Sequence, residues 1–131
     1  MQDSNINNHW ILITDEIGIA SVFPKLKGKL VEARLTAITI LYYSHSDQFL
    51  FQRELTMLER HFPTRLYTIC ESFMSFELCQ ATIEAVINVN TAPAMSFMIS
   101  GNSEFTEKFK EILSFLGIQQ VDIQEQFFSC L

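Results

Sequence analysis

Five short, dense apolar runs, each separated from the next by an amphipathic segment, constrain this chain more than anything else in it. The runs lie at 10–14 (Trp10-Ile11-Leu12-Ile13-Thr14), 37–43, 65–70, 95–100 and 120–124, and they favour β-branched and aromatic residues. Continuous rather than alternating apolarity suits strands buried on both faces, as in a parallel sheet. Between them, Val22, Phe23, Leu26, Leu30 and Ala33 mark one helical stripe, and Leu55, Leu58 and Phe62 a second. Leu78, Ala81, Ala85 and Val89 mark a third, and Phe105, Phe109, Ile112 and Leu116 a fourth. Ser103 is expected to cap the last helix and Gly117 to end it. The order β-α-β-α-β-α-β-α-β implies a parallel sheet with right-handed crossovers and helices on both faces. Ligands of such sheets bind beyond the carboxyl ends of the strands. That places 14–21, 43–47, 70–75 and 100–103 near one rim.

A chain of 131 residues that is 48% hydrophobic has the length of one domain and can bury a core. Its longest apolar runs are a few residues, too short to cross a bilayer, and no signal peptide is visible. Residues 1–8 are polar and read as a flexible tail or an interdomain linker, leaving 9–131 as the domain. A net charge of −6 argues against nucleic acid as a partner. Cys70, Cys79 and Cys130 have no zinc-like spacing and read as reduced, buried thiols of a cytoplasmic protein, so no metal site is expected.

Four segments could carry chemistry. The first, Thr14-Asp15-Glu16-Ile17-Gly18-Ile19-Ala20-Ser21, is a strand-to-helix turn of the kind that receives phosphates on free N–H groups. It carries two acids where glycines are usual. Acid pairs here also hold Mg²⁺ in phosphoacceptor receiver domains, but those need an acceptor Asp after the third strand and a Lys after the fifth. Cys70 and Ile123-Gln124-Glu125 stand there instead. Two readings of the acids stay open: they face a ligand, or one of them caps the following helix. The second segment, 44–55, holds His45, which alone reads as a surface-loop histidine. The third, Ser100-Gly101-Asn102-Ser103, is a tight turn into a helix whose glycine admits close backbone approach. The fourth holds Phe127 and Phe128, an exposed stacking platform or ordinary core.

Taken in order, these segments resemble the nucleotide-binding half of the ferredoxin reductase family. The family reads I-L-I-A-G-G-I-G-I-T-P where this chain has Ile11 to Ser21. Its L-L-Y-R-D-E-L is similar to Phe49-Leu50-Phe51-Gln52-Arg53-Glu54-Leu55, and 59–66 is similar to its next helix end and third strand. Its C-G-P corresponds to Ser100-Gly101-Asn102 and its closing E-x-F to Glu125-Gln126-Phe127. The siderophore-interacting branch carries G-D-E-T-A-L-P, which Thr14-Asp15-Glu16-Ile17-Gly18-Ile19-Ala20 partly resembles.

The resemblance implies a three-layer, doubly wound, Rossmann-like sheet of five parallel strands in the order 3-2-1-4-5. It implies NAD(P)H lying across the rim and passing hydride to a flavin, FAD, held by a separate domain or subunit. Thr14, Asp15, Glu16, Ile17, Gly18, Ile19, Ser44, Gly101, Asn102 and Phe127 would then be cofactor-binding, with Ser100 as the catalytic position beside the nicotinamide. Phe127 and Phe128 would be covered by the flavin domain or by a second copy of the chain.

The chain departs from the family at Asp15-Glu16, Ser21, Ser44, Ser100 and Asn102. A carboxylate ~5 Å from a phosphate charge costs about 3 kcal/mol at an effective dielectric of ~20, roughly a hundredfold in affinity, if it points at the ligand. These exchanges define a second reading: a domain that kept the fold, lost the cofactor, and serves in protein interaction or regulation. A self-contained hydrolase is disfavoured, because no G-x-S-x-G elbow is present.

Overall fold

The computed structural model describes residues 6–32, 35–44, 46, 48–72 and 76–125. Strands and helices alternate as the sequence pattern predicts: β1 (Asn8–Thr14), α1 (Gly18–Glu32), β2 (Thr36–Ser44), α2 (Gln52–His61), β3 (Leu66–Ser72), α3 (Phe76–Asn88), β4 (Ala94–Gly101), α4 (Ser103–Phe115) and β5 (Asp122–Glu125). All pairings are parallel, and the sheet order is β3-β2-β1-β4-β5. The sheet begins at Asn8, one residue inside the segment read as tail, because Asn8 pairs with both Thr36 and Ala94.

Alternate residues of each central strand feed two separate cores. Trp10, Leu12, Ile38, Ile40 and Tyr42 pack under Ile19, Val22, Leu26 and Leu30 of α1 and Leu55 of α2. Ile11, Ile13, Leu41, Tyr43, Phe97 and Ile99 pack under Cys79, Ile83 and Val86 of α3 and Phe105, Phe109, Ile112 and Leu113 of α4. Burial on both faces explains the unbroken apolarity of the central strands.

The stripes predicted for α1, α2 and α4 face the core, although Ala33 lies outside the described residues. The stripe predicted for α3 does not. Leu78, Ala81, Ala85 and Val89 are exposed, and Cys79, Ile83 and Val86 are buried instead. The helix is apolar on two faces, and the sheet takes the other one.

The cap of α4 is also corrected by one position. Asn102, not Ser103, precedes the first turn, and its Oδ1 accepts from the Phe105 N–H at 2.9 Å. Gly117, at φ 89°, ends α4 as expected. Ile118 N–H reaches Leu113 O and Gly117 N–H reaches Ser114 O, the paired closure of a left-handed C-terminal cap.

Candidate functional site at the carboxyl rim

The chain leaves β1 through α1 towards β2 and returns from α3 into β4 on the other side. The crevice between the ends of β1 and β4 is therefore the switch point of the sheet. Thr14 pairs with Ser100 there, so the β1–α1 and β4–α4 turns lie side by side.

Asp15 holds the two turns together. Its Oδ1 accepts from Ile17 N–H at 3.0 Å and Gly18 N–H at 2.7 Å, and its Oδ2 accepts from Asn102 N–H at 3.3 Å. Its main chain joins in: Asp15 N–H donates to Ser100 O, and Asp15 O accepts from Ile19 N–H. The side chain is only 3% exposed. A carboxylate at a helix N-terminus satisfies orphan amides and meets the positive end of the helix dipole. Of the two readings left open by the sequence, the cap describes Asp15.

The two rim glycines follow from this closure. A Cβ on Gly18 would stand 2.1 Å from Ser100 O, and one on Gly101 would stand 2.8 Å from Asp15 Oδ2 and 2.6 Å from a Phe105 ring carbon. Both positions are filled by the protein's own atoms.

The remaining predicted site residues divide by depth. Thr14, Ser44 and Ser100 are fully buried. Ser100 Oγ donates to Gly18 O at 3.2 Å and Thr14 Oγ1 to Asp15 O at 3.1 Å. Ser44 Oγ donates to Gln48 O at 2.9 Å, accepts from Ser46 N–H, and has Glu16 Oε2 at 3.4 Å. Ile19 belongs to the core beneath α1. Glu16, Ile17 and Asn102 are half-buried and reach the surface. His45, Phe127 and Phe128 lie outside the described residues.

Tyr42 was not among the residues singled out from sequence. It sits beneath this rim, edge-on to Phe49 at 5.1 Å, and its phenol is pushed up to about 12, first by burial. Strand phase could have found it, since it pairs with Thr14.

Cys79 is buried and Cys70 half-buried, neither in a disulfide, and burial raises the pKa of Cys70. Among the described residues no group of three or more metal-ligating side chains gathers, and no helix is long and apolar enough to cross a membrane.

No protein-family model and no curated protein matches the chain. Solved structures do. The CS-b5R domains of human Ncb5or in the NAD⁺ form match with a TM-score of 0.70 at 13% identity, over 94% of this chain and 38% of that one. Ferredoxin-NADP⁺ reductase from Plasmodium falciparum matches with a TM-score of 0.67 at 16% identity, over 96% of this chain and 55% of that one. The likeness is one of fold, and this chain spans about two-fifths and just over half of those two chains. The parallel sheet with helices on both faces is thus a fold this chain shares with those two proteins.

Proposed function

We propose that this chain is an NAD(P)H-binding module of a flavin-dependent reductase, working with a flavin held by a separate domain or subunit. The observation that carries the reading is the inward turn of Asp15 within a reductase-type fold. One of the two acids that opposed a phosphate is a buried cap, hydrogen-bonded by three amides. Glu16 remains at the surface, where solvent screens it.

Bound nicotinamide would supply the hydride, and the protein's part is placement. Glu16, Ile17 and Asn102 are the predicted positions available to touch a dinucleotide. Ser100, through its bond to Gly18 O, is a positioning residue that holds the first turn of α1 against β4.

A second reading rests on the same carboxylate. The Ile17 and Gly18 amides that would meet a pyrophosphate are engaged by Asp15, so the domain supplies its own anion and its rim serves a protein partner.

Calorimetric titration with NADH and NADPH separates the two. The first reading expects saturable binding by the unmodified chain and roughly three- to tenfold tighter binding in Glu16→Gln, as repulsion at a half-exposed site is relieved. Asp15→Gly frees three amides, those of Ile17 and Gly18 among them, so it should bind tighter still while losing about 2 kcal/mol of stability with the cap. No binding at millimolar nucleotide by the unmodified chain, even beside its flavin domain, would refute the first reading. Binding that appears only in Asp15→Gly would establish the second.

A further inference from the structure

At the opposite end of the sheet, the amino ends of β1, β2 and β3 and the last turn of α3 enclose a pocket of about 420 Å³. That size lies within the ~300–1,000 Å³ typical of small-molecule sites. Its lining is mostly apolar, with Val86 buried, Ile69 half-buried, and Tyr67 and Val89 exposed at the mouth. Its polar lining includes Thr64, Thr91 and one hydrogen-bonded chain of side chains, Asn90, His9 and Thr39.

The protons in that chain can be assigned. Asn90 Oδ1 accepts from Ala92 N–H at 3.1 Å, and Asn90 Nδ2 donates to Ala92 O at 3.0 Å, which fixes the amide orientation. His9 Nδ1, 3.0 Å from that same Oδ1, must therefore carry the ring proton. His9 Nε2 is then an acceptor, and Thr39 Oγ1, at 2.7 Å, donates to it. Burial lowers the pKa of His9, which keeps the ring neutral. With its proton committed, the Thr39 oxygen offers only lone pairs to the pocket. Among the described residues no Asp, Glu, Lys or Arg lines the cavity, so none of them balances a ligand charge there.

We propose that this pocket binds a small uncharged molecule with an apolar body and one hydrogen-bond donor directed at Thr39 Oγ1. The apolar walls take the body, Tyr67 covers it at the mouth, and the Asn90–His9 pair holds the Thr39 hydroxyl in its accepting orientation. The site is separated from the carboxyl rim by the length of the strands and does not depend on nucleotide binding there.

The test uses 2-naphthol as probe, with naphthalene and 2-naphthoate as controls, titrated into the full chain and followed by calorimetry. 2-Naphthol should bind saturably, naphthalene about tenfold more weakly for want of one hydrogen bond, and 2-naphthoate not measurably. Thr39→Val should lower 2-naphthol to the affinity of naphthalene and leave naphthalene unchanged. Val89→Trp, at a position 74% exposed and so tolerant in the fold, should block both by filling the mouth. Equal binding of 2-naphthol and 2-naphthoate, no saturable binding of 2-naphthol, or full binding in Val89→Trp would each overturn the proposal.

Discussion

Gly18 and Gly101 show how single positions at the rim are decided by neighbours far away in the chain. Each lacks a side chain because another part of the protein stands where a Cβ would go. His9 carries the same lesson into pH dependence. Its pKa is lowered in the folded state by burial, so below its ordinary value of 6.5 the unfolded chain binds the proton first. Stability from this group is therefore present above about pH 6.5 and lost as pH falls towards the lower folded value. Urea midpoints measured between pH 7.5 and 5.5 should fall for the native chain and fall less for His9→Gln, provided the variant keeps the fold. The cap was one of two readings the sequence left open for the acids, because a carboxylate just before a helix lies within reach of its first amides, and the fold decided between them. The third bond of Asp15 was not legible in the sequence, since Asn102 is 87 positions away. Nor was the Thr39–His9–Asn90 chain, whose members are 30 and 81 positions apart.

Among the elements, α3 separates what periodicity can and cannot decide. Its sequence places apolar residues at helical spacing on two faces, 78/81/85 and 79/83/86. Periodicity identifies the helix, and only the sheet identifies the buried side. Leu78→Ser should change stability by less than about 0.5 kcal/mol, whereas Ile83→Ala should cost about 2–4 kcal/mol. Denaturant titration of the two variants checks the assignment, and the reverse ranking would restore the face read from sequence. In α1, α2 and α4 one face is polar, so stripe and core coincide there. The cap of α4 moved by one residue because Ser103 and Asn102 both have capping side chains, and backbone geometry chose between them.

For the molecule as a whole, alternation of strands and helices was readable because the central strands are apolar on both faces and the crossovers have one hand. The relative strength of the strands was not, because it depends on neighbours. β1 pairs along its length with both β2 and β4, whereas among the described residues β5 pairs only with Met98–Gly101. Amide exchange should be slowest in β1 and fastest, among the strands, in β5. Exchange of β5 as slow as that of β1 would contradict this ranking.

Asp15 also bears on the order in which the fold assembles. Its Oδ1 partners are two and three positions away and can be met as soon as the first turn of α1 forms, whereas its Oδ2 partner is 87 positions away. Local turns form early, and contacts across most of a chain wait for loop closure. Until β4 arrives beside β1, the outer oxygen of this carboxylate is held by water. Docking of β4 strips that water and supplies the Asn102 amide in its place. The step that completes the centre of the sheet is therefore also the step that dehydrates its charge, so a half-docked β4 would have lost the water without gaining the amide.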